Sequence, residues 1–289
     1  MTAASLAALL AAVVGLQVVR ERAAPLQTGD EALLYVRSPE AMKRMALSYD
    51  SLLADVYWIR AVQHYGDTKR SSSATKSYAL LYPLLDLTTS LDPLFNVAYS
   101  FGAIFLAEPA PGGPGQPDQA IALLQKGLKA QPDNWRLIQQ LGFVYYWWYE
   151  DYKTAAKWFQ HASTRPGAPV WMAPLAAVTL AQGGDRNASR QMWRHVAQSE
   201  ADEWFRNEAV RRLSQLDALD QLDALNRLLA AFPARTGRAA MDWGEIARAG
   251  LLRGVPHDPN GLPYRIVNGR AALDPSSRLL PLPDPAKIR

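Results

Sequence analysis

Residues 135–166 read WRLIQQLGFVYYWWYEDYKTAAKWFQHASTRP. One apolar-periodic run carries a small residue, Gly142, near its middle. A second run opens around Ala155, continues through Phe159 and Ala162 at helical spacing, and stops at Pro166. Upstream, Phe101-Gly102, Phe105 and Ala120 repeat this order and end at Pro132, 34 residues before Pro166. Two helices and a turn recurring at that period predict an all-α fold, a right-handed solenoid of antiparallel helix pairs. Solenoids stack their pairs through close contacts at small residues and offer a long curved surface to other molecules.

Working outward, a fourth unit begins near Val170. It carries Ala176 and Ala188 at the small-residue positions, with Gly183-Gly184-Asp185 between its helices. The run Pro109 to Pro117 cannot be helical and is expected as a surface loop inside the second unit. Before it, a helix from Ser51 is predicted to end on Gly66 as its C-terminal cap, followed by a polar loop and a helix from Tyr78 to Ser90. Ser38-Pro39-Glu40 opens an earlier helix, with Ser as N-cap and Pro in the first turn. Beyond the repeats, two capping helices are predicted, Asp202 to Leu216 and Leu219 to Phe232, and a short one from Asp242 to Ala249. Asn268-Gly269 between Arg265-Ile266-Val267 and Arg270-Ala271-Ala272-Leu273 predicts a small β-hairpin, because both turn residues accept positive φ. The tail from Asp274 is proline-rich and reads as extended. The resulting divisions are 1–22, a membrane anchor or uncleaved signal; 23–40, a linker with a short extended piece at Ala32 to Val36; 41–200, repeats; 201–253, capping helices; and 254–289, hairpin and tail.

Ala3 to Val19 is apolar except for Ser5 and Gln17, and Arg20-Glu21-Arg22 follows at once. As a helix it would span about 25 Å, just short of a ~30 Å hydrocarbon core. Three readings compete: a membrane helix, which ranks first; a cleaved signal peptide, for which Arg22-Ala23-Ala24 is a poor cleavage site; and a buried helix, disfavoured because the run has no polar face. The positive-inside rule, read literally, keeps the large domain in the cytoplasm. A two-residue head before an apolar segment reads as a start codon placed too late, which favours an exported, periplasmic repeat domain on a single-pass inner-membrane protein.

Net charge is +4, and Lys and Arg occur in no run of five or six, so nucleic acid is not implied as a partner. The chain has no cysteine, which removes disulfides, thiolate metal sites and a cysteine nucleophile. His64, His161, His195 and His257 lie far apart, and none has a second ligand at metal spacing; packing is the expected role of His195. The Pro109 to Pro117 run lacks the Gly-Lys-Ser/Thr ending of a phosphate loop. No metal, no cofactor and no catalytic set is expected.

Residues 51–200 resemble the tetratricopeptide repeat family. Gly102 and Gly142 stand where that motif has a small residue for helix packing, Ala120 and Ala155 where it has another, and Phe105 and Tyr145 at its aromatic position. The fourth unit has Ala176 for the glycine and Thr179 for the aromatic, and the first lacks most signature residues. Leu53 to Gln63 is similar to a segment of bacterial membrane-anchored repeat proteins, and Pro256 to Tyr264 to a turn of secretion-system pseudopilins. The resemblance implies a scaffold that grips a protein, peptide or helix in a groove lined by first helices. Carried over by position, that groove comprises Asn96, Tyr99 and Ala103, then Arg136, Gln139, Phe143 and Tyr146, with Trp147 beside them.

Tyr145-Tyr146-Trp147-Trp148-Tyr149 sweeps right round a helix, so its members cannot share one core. Burial against Trp158 and Phe159, a partner surface, and contact with a membrane interface all remain open for them. Asp55 and Arg60, five apart on one helix, are expected in structural ion pairs. The expected function is a docking or assembly subunit of a bacterial envelope complex. The alternative is a soluble, chaperone-like adaptor with a cleaved leader.

Overall fold

The computed structural model of the chain describes residues 9–16, 19, 38–72, 76–199 and 202–283. It is mostly helical, with one two-stranded antiparallel sheet. The chain divides into two compact units, residues 1–130 and 131–289. Residues 9–16 of the predicted anchor are helical and exposed, but no helix among the described residues is long and apolar enough to cross a membrane. The rest of that run, except Val19, lies outside the described residues, as do most of the linker and residues 284–289.

In the first unit α1 spans Pro39–Met45, α2 Asp50–Arg70, α3 Leu81–Leu91, α4 Asn96–Ala107 and α5 Pro117–Ala130. Ser38 caps α1 by accepting the Ala41 N–H at 3.3 Å. Helix α2 does not stop at Gly66. A helical glycine costs only about 1 kcal/mol, and nothing in Asp67-Thr68-Lys69-Arg70 breaks the helix before Ser71. Helices α2 and α3 pack together, as do α4 and α5, and α3 also touches α4. A Cβ on Gly102 would stand 2.8 Å from Leu85 Cδ2 and 3.0 Å from Leu123 Cδ2, so α3 and α5 both press on α4 at that notch. Ala120 is buried on the α5 side.

Rings join α2 to α4. Phe105 stacks on Trp58 at 6.1 Å and on Tyr65 at 4.2 Å. The Tyr65 hydroxyl donates to the Glu108 carboxylate, which Lys69 Nζ also reaches at 2.7 Å. Lys69 and Tyr65 together hold the Glu108 carboxyl below its ordinary range, while burial pushes the Tyr65 phenol up. A carboxyl with a depressed folded-state pKa adds stability above its unfolded value, and that stability is lost as pH falls through the folded one. Thermal melts should therefore show the wild type losing more stability than Glu108→Gln between neutral pH and pH ~3. Parallel losses would rule the cluster out as a stabilising element.

In the second unit α6 spans Trp135–Trp147, α7 Tyr152–Ser163, α8 Met172–Gln182, α9 Arg186–Gln198, α10 Glu203–Thr236 and α11 Trp243–Arg248. Asn134, Asp151 and Asp185 cap α6, α7 and α9 by accepting backbone N–H groups of Arg136, Thr154 and Ala188. Consecutive helices from α6 to α10 pack on one another. A Cβ on Gly142 would collide with Phe159 Cε1 and lie 2.5 Å from its Cδ1; the ring fills the space that the missing side chain leaves. Ala155, Phe159 and Ala176 are fully buried.

Ala188 is a correction. It is half-buried, and Ser189 takes the interior position, donating its hydroxyl to the Ala177 carbonyl at 2.7 Å. The cap sets the register: the buried small residue is the fourth after Asp151 (Ala155) and the fourth after Asp185 (Ser189), so the two stand 34 residues apart, as do Phe159 and buried Trp193. His195 is exposed, contrary to its expected packing role.

The two predicted capping helices are one, α10, about 50 Å long. The stretch around Asp217-Ala218 holds no glycine or proline, and it is stapled to α9. Arg190 pairs with Asp217 and Asp220 at 3.2 and 2.6 Å, and Arg186 with Asp220 and Asp223. The second half of α10 buries Leu225, Leu229 and Phe232 against Trp243, Ile246 and Tyr264. The hairpin is borne out: β1 (Arg265–Val267) pairs antiparallel with β2 (Arg270–Ala272), and Asn268 and Gly269 turn the chain at φ 52° and 75°. Asn226 accepts the Ala271 N–H at 2.8 Å and fixes the hairpin to α10. The Asp258 carboxylate organises the preceding turn, accepting from the backbone of Asn260 and Leu262 and from the Ser277 hydroxyl. The tail is more than extended chain. Leu279 is buried, and the buried Gln215 amide donates to the Leu279 and Pro281 carbonyls at 2.6 and 3.0 Å.

Candidate interaction surface

Positions 136, 139, 143 and 146 fall three or four apart, which puts them along one face of α6. Asn134 fixes where that face begins, because its cap starts the helix at Trp135. Arg136 is exposed and its guanidinium lies 4.5 Å over the Trp135 ring. That ring meets Trp171 edge-on at 6.4 Å, so the residue that precedes α8 contributes to the same surface. Gln139 is half-buried. Phe143, also half-buried, turns its ring into the notch and packs edge-on to Phe159 at 5.1 Å. The Tyr146 hydroxyl donates to Gln182 Oε1 at 3.0 Å, and its ring packs against Trp147 and Tyr152 at 5.0 and 5.1 Å. Trp147 is 64% exposed at the end of the helix.

None of the five consecutive aromatics is buried, which sets aside the reading that all pack inside. The Tyr145 and Tyr149 rings lie tilted against each other at 5.5 Å, with Tyr149 two residues past the end of α6. Trp135, Trp171 and Gln182 belong to this surface and were not singled out by the sequence. The two tryptophans could have been found, since each stands at the entrance to a first helix.

On α4 the corresponding positions fare differently. Asn96 is exposed, but Tyr99 and Ala103 are buried, because α4 turns that face inward. The Tyr99 hydroxyl points to the Thr89 carbonyl at 3.4 Å, and burial pushes its pKa up to about 12. Neither residue can line a groove. Asp55 is exposed, and Arg60 lies over the Tyr57 ring at 5.4 Å.

Two open depressions accompany these helices. One of about 540 Å³ lies at the start of α6, between Asn134, Trp135, Arg136, Pro166 and Gly167. The other, about 460 Å³, is lined by Glu40, Lys43, Lys126 and Lys129 in the first unit. There Lys126 is already committed to Asp86 and Ser90 at 2.6 Å. Among the described residues no group of His, Asp and Glu could hold a metal ion. The α6 surface carries an aromatic shelf with one cation, Arg136, and two amides, Gln139 and Gln182. None of the protein-family models, curated proteins or solved structures compared with this chain matches it.

Proposed function

We propose that the chain is a non-enzymatic scaffold of tetratricopeptide-like repeats, stacked as a right-handed solenoid, that holds a partner's peptide or helix on the α6 face. In this reading it is a docking subunit of a bacterial envelope complex, tethered by residues 3–19 with its repeats on the periplasmic side. The observation that carries it is Trp147, a large ring left mostly in water at the end of a stripe running from Arg136 through Gln139, Phe143 and Tyr146. Exposed aromatic and arginine side chains supply most of the energy where proteins bind each other. Helix pairs that keep a 34-residue register at Ala155/Ser189 and Phe159/Trp193 support the repeat architecture.

The test replaces Arg136, Gln139 and Trp147 together by Ala and measures capture of membrane partners in mild detergent. Two lost anchors should weaken capture at least tenfold, or about 1.4 kcal/mol and upward. The melting temperature should barely move, because Arg136 and Trp147 are exposed. Capture unchanged by the triple substitution would refute the assignment.

A further inference from the structure

We infer that the outer face of α2 and α4 rests on a lipid bilayer. On α2 the buried residues are Ala54, Tyr57, Ala61, His64 and Tyr65. At 100° per residue Leu52 and Ile59 therefore point directly away from the core and Val56 stands beside them, all three exposed, with Gln63 exposed on the same side. Helix α4 repeats the pattern: Ala98, Gly102 and Leu106 face inward, while Val97, Phe101 and Ile104 stand exposed on the opposite side. Both helices are backed by α3, and the Trp58–Phe105 and Tyr65–Phe105 stacks hold them side by side. Their outer ridges consequently form one face that is apolar but for Gln63, of a kind that soluble monomers rarely leave uncovered.

A peptide strand docking there would need donors and acceptors for its backbone, whereas the α4 ridge presents carbon alone. A bilayer needs none. The chain also brings this face to a membrane, if residues 3–19 are the anchor proposed above; on that one point the inference rests on the proposed function. Residues 20–38 can separate the anchor from α1 by at most about 65 Å. Between that stretch and the face stand exposed Lys43, Arg44, Met45, Leu47 and Tyr49, the mixture of basic, apolar and tyrosine side chains found at membrane interfaces. Glu40 and Asp55 are exposed as well, so charge is nearly balanced and apolar contact carries the attachment.

The absence of cysteine allows single thiols to report position in the full chain. Ile59→Cys, Phe101→Cys and, on the exposed back of α5, Gln125→Cys are each labelled with a small fluorophore and bound to phosphatidylcholine vesicles. Half of the vesicles carry bromine on their acyl chains. Fluorescence at 59 and 101 should fall about twofold in brominated vesicles, as for a face buried at the headgroup–acyl boundary, with no change at 125. Vesicle-bound chain whose labels at 59 and 101 are not quenched would overturn this inference and leave the anchor intact. Labels shielded from water only after a protein partner is added would overturn it in favour of a protein occupant. Failure of the chain to float with vesicles would remove both the anchor and this face's role.

Discussion

Phe159→Ala should destabilise the second unit by about 3–5 kcal/mol, the range for emptying a fully buried aromatic site. The ring occupies the space at Gly142 where a side chain would be, so it couples α6 to α7, and its loss opens a cavity between them. Gly142→Ala attacks the same contact from the other side. Alanine is the better helix former by about 1 kcal/mol, yet here overpacking should win and cost about 1–3 kcal/mol. Combined with Phe159→Leu, which lacks the Cε1 and Cζ atoms, Gly142→Ala should recover part of that loss. Denaturant midpoints followed by far-ultraviolet circular dichroism read these variants and Phe159→Leu alone. Additive losses in the double variant would mean that the notch is not the coupling contact.

Trp243→Ala should have a comparable effect at the other end of the second unit, about 3–5 kcal/mol. Trp243 is buried among Leu229, Phe232, Ile246 and Tyr264, and its indole N–H donates to the Tyr264 carbonyl at 2.8 Å. Burial also pushes the Tyr264 phenol up to about 12, so its hydroxyl stays protonated and keeps its bond to Gln221 across the neutral range. Removing the indole takes away the core that joins the hairpin to α10. Limited proteolysis should then cut first between residues 237 and 283, with α6 to α9 still protected. Trp243→Phe keeps most of the packing and should cost far less. Equal damage from both substitutions would place the weight on the hydrogen bond instead.

Much of this structure is legible in the sequence where one local rule acts alone. Asn268-Gly269 can hardly be other than a tight turn. Gly142 and Ala155 mark a close helix contact because no larger residue fits there. Apart from Gly66, where the helix runs on to Arg70, the boundaries that differ are those set by tertiary partners. Nothing in Asp217-Ala218 says whether the helix stops, and Arg186 and Arg190 of the preceding helix favour its continuing. Ser189 took the place expected for Ala188 because the Asp185 cap keeps the register that Asp151 sets for Ala155, and a serine whose hydroxyl bonds a carbonyl can replace a buried alanine. Tyr99 could not be assigned from spacing, since apolar residues run all round α4 and only its neighbours choose the inner side. The same ambiguity hid the bare ridges of α2 and α4. Leu279 and Pro281 gave no sign of docking, because Gln215 reads their backbone carbonyls and not their side chains.

Photocrosslinking reads the proposed partner face without altering stability. A photoreactive amino acid is placed singly at 139, at 147, and at 160 on the exposed back of α7, and the cells are irradiated with the full-length chain in place. Residues 139 and 147 should each give the same discrete protein adduct, and 160 none. Adducts from 160 alone, or equally from all three positions, would contradict a scaffold that grips its partner along α6.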